Sequence, residues 1–492
     1  MSFLQSSASC PLGPPLGGQG VSLNAFLLDT VGENIEYARM SILYNILLLI
    51  VAIPGLLYFL LKMLLTGKYR HSFFQKLGAR QKHLLADIPA GKRVWIHAVS
   101  VGEVTAAAPI VTALKKFRPE IRIIFSTSTE TGQGMAHRLI AGADALIYFP
   151  LDIPFVVNKM MNLVRPDVFV LVETELWPNF LAACCKRGVL SLIVNGRISL
   201  RSFMKYCRTR FFWKPVLRNI DEAGMITDVD AARIKQIGLS DFKIRVLGNA
   251  KYDALAAMAS PALHDDIARR FNVCKDEKFL VAGSTHPGEE NVVIQVYREL
   301  LARYPEFRLI LAPRHIERTR DVISLLRQAD LNEMITVTEI NSGRPRHDEK
   351  VIVVDAIGEL FQVYSLATIV YCGGSLIPKG GQNILEAAAW GKVIFYGPSM
   401  EDFSQEAALL EDAGAGVRIA NTRELLTGIM QLLSDPQDLR ARGENGRAVV
   451  RANMGAAERY AEMVIRWIDR SPDHLKVAQG DARPTPLAGV RG

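Results

Sequence analysis

The chain has 492 residues, 49% of them hydrophobic and 22% charged, with 58 Lys and Arg against 50 Asp and Glu, and six cysteines. That length exceeds one core and predicts two or more domains, and the apolar content excludes wholesale disorder. The net charge of +8 predicts an acidic partner: nucleic acid, anionic lipid or phosphorylated small molecules.

Residues 1–32 are rich in Ser, Gly and Pro and read as a disordered extension. From 41 to 61 runs SILYNILLLIVAIPGLLYFLL, which has no charged residue and is long enough to span a bilayer core of about 30 Å. Pro54 and Gly55 are tolerated in lipid. Lys62, Lys68, Arg70, Lys76, Arg80 and Lys82 follow it, which places the rest of the chain on the cytoplasmic side. The reading is an uncleaved transmembrane anchor; the alternative is a buried core helix. None of the cysteines forms a CxxC pair or a metal-ligand spacing, in keeping with a reducing compartment.

Beyond residue 90, short β-branched runs alternate with helical patterns, the signature of βαβ units and parallel sheets. Strands are predicted at 93–99, 121–127, 145–149, 167–172 and 189–195, then again at 278–284, 307–313, 351–356, 367–373 and 392–397. The fold class is therefore α/β, with two Rossmann-like doubly wound domains, 90–260 and 275–470, facing a shared cleft. The boundary falls near 250–275, helices from 421 to 469 are expected to cross back to the first domain, and 471–492 read as a disordered tail. No GxGxxG follows the first strand and no GxxxxGK[ST] occurs, so a dinucleotide dehydrogenase or P-loop ATPase is disfavoured.

Chemistry-bearing residues gather where strands end. Glu103, in HAVSVGE, stands at the open edge of the first sheet as a candidate general base, although Ser100 and Glu103 also have capping-box spacing. Glu173 and Glu175, in ETELWPN, put two carboxylates on the same edge; structural alternatives are a helix-dipole role for Glu175 and an arginine partner for Glu173. Between Arg197 and Arg218, five cations interleave with Phe203, Tyr206, Phe211, Phe212 and Trp213, which reads as an interfacial element meeting anionic head groups. No RNP, KH or zinc signature supports nucleic-acid binding. In the second half, Arg314 beside helix starts suits a phosphate, whereas His286 or His315 alone would more often be structural. The run from Gly373 to Glu386 is the strongest signal: its glycines would let amides approach a phosphate, and Glu386 could accept from ribose hydroxyls, although Asn383 with Glu386 has cap spacing as well.

HAVSVGE, ETELWPN, GNAKYD, STHPGEE, APRH, IGEL and GGSLIPKGGQNILEAA, in this order, resemble the 3-deoxy-D-manno-octulosonic acid (Kdo) transferases of lipid A biosynthesis, which have the GT-B fold. The resemblance runs from the apolar segment to about residue 465. It implies transfer of Kdo from CMP-Kdo to a lipid A precursor at the inner membrane, with inversion, without a metal and without a cofactor beyond the donor. It makes Glu103 the base, gives Glu173 and Lys251 transition-state roles, and assigns CMP contacts to Pro313, Arg314, Ile357, Gly358, Glu359, Asn383, Ile384, Leu385 and Glu386. Gln382 departs from the family's frequent His, and NGRIS stands where NARLS is common. Competing readings are another nucleotide-sugar enzyme of this architecture and a non-catalytic, membrane-tethered glycolipid-binding module.

Overall fold

The computed structural model describes residues 42–50, 70–79 and 81–471. Residues 42–50 are helical, while the remainder of the predicted anchor (41 and 51–61), the extension 1–32 and the tail from 472 onward lie outside the described residues. Among the described residues no helix is long and apolar enough to cross a membrane.

From Arg70 onward the chain builds two seven-stranded sheets in which every pairing is parallel. The first contains β1 Arg93–Ala98, β2 Arg122–Thr127, β3 Ala145–Tyr148, β4 Val168–Val172, β5 Leu190–Gly196, β6 Glu222–Met225 and β7 Ile244–Val246. Their order is β3-β2-β1-β4-β5-β6-β7. The second contains β8 Lys278–Thr285, β9 Phe307–Pro313, β10 Met334–Thr336, β11 Val351–Val353, β12 Ile369–Cys372, β13 Val393–Tyr396 and β14 Gly416–Arg418, ordered β10-β11-β9-β8-β12-β13-β14. Central strands are buried throughout, as in the VFVLV of β4, because helices cover both faces and leave no side for polar alternation.

Each sheet therefore has two cores. On one face of the first, Trp95 meets Phe180 edge-on at 5.0 Å between ring centroids, with Phe169 beside them. On the other face, Val94 and Val170 pack with Val104 and Ile110 of the helix Val101–Phe117. Order reverses at β1, which lies between β2 and β4, and at β8, which lies between β9 and β12; ligands of open α/β sheets bind at the carboxyl ends of such strands.

The chain passes between the lobes twice. The helix Ala250–Met258 buries Ala250 in the first lobe's core and Tyr252 and Leu255 in the second's. Of the late helices expected to cross back, only Ala456–Arg470 does so: Tyr460, Met463 and Val464 fill the first lobe's core, Tyr460 donates to Gly248 O at 2.7 Å, and Arg466 pairs with Glu222 at 2.8 Å. Thr422–Ser434 stays behind because Leu425, Ile429 and Leu432 cover the second sheet, and Pro436–Ala452 likewise buries Val450 there. Asp253 ties the two crossings together by accepting from Gly455 N at 2.7 Å.

Candidate active site

The carboxyl edges of the two sheets face each other. Arg197, just past β5, donates to the carbonyl of Asp402, just past β13, and its guanidinium lies 5.9 Å from the centre of the Phe403 ring.

On the first lobe Glu103 sits in the first turn of the helix that follows β1 and is only 6% exposed. It accepts from Val99 N at 2.6 Å and from the Ser100 hydroxyl at 2.9 Å. Ser100 makes no capping bond of its own, so the capping box allowed by the spacing is not formed: the hydroxyl is turned to the carboxylate instead of the helix amides. Burial pushes the Glu103 carboxyl up to about 7, with the charges of Glu173 and Glu175 adding to it and the bonds from Val99 and Ser100 opposing. Glu175 is raised too, by burial and then by Glu173.

Glu173 takes a left-handed backbone conformation (φ 61°) directly after β4, next to β1. A non-glycine residue in this region is uncommon and points to a functional constraint. Its Oε1 lies 2.8 Å from Lys251 Nζ, in place of the arginine the sequence allowed. Lys251 is carried by the second residue of the crossing helix Ala250–Met258, whose start is fixed by Asn249 Oδ1 accepting from Lys251 N and by the buried Asn195 accepting from Ala250 N at 2.9 Å. Glu103, Glu173 and Lys251 thus gather at the switch point of the first sheet. Behind them His97 stacks on Phe149 at 3.7 Å and is held neutral, its pKa lowered to about 3 by burial.

In the second lobe the glycine-rich turn is built differently from the expected phosphate cradle. The Glu289 carboxylate, 1% exposed, fills it. It accepts from Gly374 N at 2.7 Å, Ser375 N at 3.0 Å, Leu376 N at 3.1 Å, His286 N at 3.0 Å and Tyr371 Oη at 2.9 Å. Those amides are therefore satisfied within the chain. Gly373 is required by close packing, since a Cβ there would lie 2.4 Å from Ser284 O.

The remaining donor-side residues surround this turn. Pro313 ends β9 and is buried, whereas Arg314 is exposed and forms no ion pair among the described residues. Ile384 and Leu385 bury their side chains in the core and could offer a ligand only backbone groups. The helix predicted to start near Asn383 is a single turn, Leu385–Ala389; Asn383 accepts from Leu385 N at 3.2 Å and donates to Glu386 Oε1 at 3.1 Å. Burial pushes Glu386 up to about 7, with Asn383 and the Arg314 charge opposing. Glu359 is engaged by Arg270 and Gln362, so a ligand here would meet the exposed Ile357 and Gly358 rather than that carboxylate.

The cationic, aromatic segment forms two helices, Leu200–Arg208 and Arg210–Leu217. Phe203, Tyr206, Phe212 and Trp213 pack inward on the first lobe's core, so of the five rings read as part of an interfacial element only Phe211 faces outward. Its exposed apolar groups are Leu200, Met204 and Phe211, beside Arg201, Lys205, Arg208 and Arg210.

Two doubly wound lobes with carboxylates on one facing edge and cations on the other make up a GT-B-like fold. A family model for 3-deoxy-D-manno-octulosonic-acid transferase (kdotransferase) matches residues 70–254. The 3-deoxy-D-manno-octulosonic acid transferase of Haemophilus influenzae is 29% identical over 431 residues, covering 86% of this chain and 98% of that protein. The enzyme of the same name from Chlamydophila psittaci is also 29% identical, over 87% of this chain and 96% of its own length. The chain is thus similar to Kdo transferases along most of its length, and its first lobe matches their family model. Among solved structures, the UDP-GlcNAc 2-epimerase from Neisseria meningitidis shares the fold, with a TM-score of 0.53 at 12% identity over 77% of this chain and 100% of that one.

Proposed function

We propose that the protein transfers Kdo from CMP-Kdo to a hydroxyl of a lipid A precursor, inverting the anomeric carbon, without a metal. The observation that carries the reading is Glu103, a nearly buried carboxyl with a pKa of about 7 beside the Glu173–Lys251 pair. A base poised near neutral pH combines a useful ionised fraction with real basicity. Its two internal hydrogen bonds use one lone pair on each oxygen and leave others for an acceptor hydroxyl.

In the reaction Glu103 takes the acceptor's proton as that oxygen bonds to the anomeric carbon from one face. The bond from the anomeric carbon to the phosphate of CMP breaks on the other, and its electron pair leaves with the phosphate. Lys251, held by Glu173, and Arg314 supply fixed positive charge where negative charge develops. Glu386 suits the ribose hydroxyls.

An acceptor anchored in lipid calls for an enzyme at the membrane surface. The reading places the protein at the inner membrane with both lobes on the cytoplasmic side, residues 41–61 anchoring it and the cations of Arg201–Arg210 meeting anionic head groups. The deciding experiment incubates purified protein with lipid A precursor and either CMP-Kdo or UDP-sugars, with and without chelator. Product from CMP-Kdo that survives chelation is expected; product from UDP-sugars alone would reject the donor, and complete loss with chelator would reject the metal-free step. Binding to vesicles containing phosphatidylglycerol, weakened by salt and by charge reversal at Arg201, Lys205 and Arg208, tests the surface.

A further inference from the structure

The crevice at the switch point of the second sheet is flanked by the loops that follow β8 and β12, and Glu289 clamps these loops together by accepting from His286 N on one and from Gly374, Ser375 and Leu376 on the other. Within it stands His286, 8% exposed, whose Nε2 has no hydrogen-bond partner among the described residues. Buried polar nitrogens are nearly always paired, and an orphan at a ligand crevice calls for a partner the protein itself does not supply. The ring meets His315 edge-on at 5.9 Å, and its Cδ2 would lie 3.4 Å from a Cβ placed on Gly374. The charged and titratable groups acting on it are Glu289 from its own loop, Arg314 and His315 after β9, and Lys379 after β12. Arg314 and Lys379 are exposed and form no ion pair among the described residues.

We propose that His286 Nε2–H, with Lys379 and Arg314, forms an oxyanion-binding subsite that holds a negatively charged group of the donor. The assignment rests on the donor reading above. A CMP-linked sugar acid offers two such groups close together, the tetrahedral phosphate and the planar sugar carboxylate, and both are oxyanions that a buried N–H and two cations recognise. Without ligand, burial and the neighbouring cations hold the imidazole below its usual range and neutral, so it carries one N–H to donate. A bound anion reverses that field and raises the imidazole's affinity for protons.

The test uses the full chain in detergent and the variants His286→Leu and His286→Gln, with binding measured by calorimetry to CMP, CMP-Kdo and UMP. A hydrogen bond to a charged group predicts that His286→Leu weakens donor binding roughly ten- to a hundredfold, with His286→Gln, which keeps a donor near Nε2, recovering much of it. Loss on CMP and CMP-Kdo alike assigns the phosphate; loss on CMP-Kdo alone assigns the carboxylate. Imidazole NMR should show the His286 pKa rising on ligand binding in the native protein, a readout independent of variant folding. Binding unchanged within twofold on both ligands, with no movement of the imidazole pKa, overturns the subsite. Tighter wild-type binding of UMP than of CMP would instead reject the donor identity while leaving the His286 effect to be read on that nucleotide.

Discussion

Glu289 Oε2 lies 2.7 Å from the amide of Gly374, so an internal carboxylate occupies the turn whose glycines would otherwise invite a phosphate. The two are 85 residues apart in the chain, and the contact joins the loops after β8 and β12 on either side of the second sheet's switch point. The turn amides are thereby satisfied within the chain, and the proposed donor site falls instead to the cationic residues around it.

Replacing Glu289 with Gln keeps its shape but turns an amide donor toward some of the five donors it now accepts. Chemical denaturation should show a loss of about 2–4 kcal/mol, in the range for breaking a buried network. Donor affinity should fall along with it. A variant of native stability and affinity would mean that the clamp is dispensable.

Much of this architecture is legible in the sequence, because β-branched runs such as VFVLV and FRLILAP must be buried on both faces. The strands that escape notice are short and lie toward the sheet edges: β6 contains Gly224, and β7, β10 and β14 have three residues each, too few for a pattern to emerge. Glu103, Glu173 and Arg314 could be picked out as charged residues at strand ends. The partners of Glu289 could not, since which carboxylate fills a nest of amides depends on two distant loops meeting. Nor could the inward turn of Phe203, Tyr206, Phe212 and Trp213, which the packing of two short helices decides.

In its proposed role as base, Glu103, pushed up to about 7, gives activity a defined acid limb. Only ionised Glu103 accepts the proton, so kcat/KM should rise tenfold per pH unit below 7 and level off above it. Glu103→Gln should lower kcat by about 10²–10⁴-fold. Because folding raises this carboxyl, its contribution to stability is complete below the unfolded value near 4.5 and is lost as pH climbs through about 7. The Gln variant should thus gain stability relative to wild type at pH 8, read as a higher melting temperature, and a wild-type melting profile across pH 5–8 would contradict the assignment.

Glu175 adds to the field that raises Glu103, as the more weakly acting of the two neighbouring carboxylates. Glu175→Gln should move the acid limb of kcat/KM downward by a few tenths of a pH unit while leaving the plateau within about threefold, since the residue is not placed on a reacting atom. A limb that stays put, or moves upward, would show that Glu175 does not act on the base.

The Glu173–Lys251 pair predicts strong coupling. Lys251→Met removes a cation from the reacting centre and leaves Glu173 unpaired beside Glu103, so it should both lower kcat, by about 10²–10³-fold, and push the acid limb to higher pH. Glu173→Gln frees Lys251 and should move the limb the other way. The double variant should lose far less than the product of the two single losses, with a coupling of about 1–3 kcal/mol in kcat/KM. Strict additivity would show that the 2.8 Å contact is not functional.

Arg197 reaches from the first lobe to the Asp402 carbonyl and the Phe403 ring of the second, and Asp402 in turn crowds Gly380, where a Cβ would lie 2.6 Å from its Oδ2. These contacts form an unbroken chain from the first lobe to the loop carrying Lys379. The guanidinium both donates to the carbonyl and covers the ring face, which an ammonium cannot do equally well. Arg197→Ala should leave denaturation of the fold within about 1 kcal/mol, as expected for a half-buried surface side chain outside the core. It should raise the KM for the donor about tenfold, with a smaller effect on kcat, and Arg197→Lys should recover only part of this. Hydrogen exchange should quicken at 378–382 and 399–404 in the Ala variant, and wild-type exchange there together with a native KM would show that the two lobes do not work through this contact.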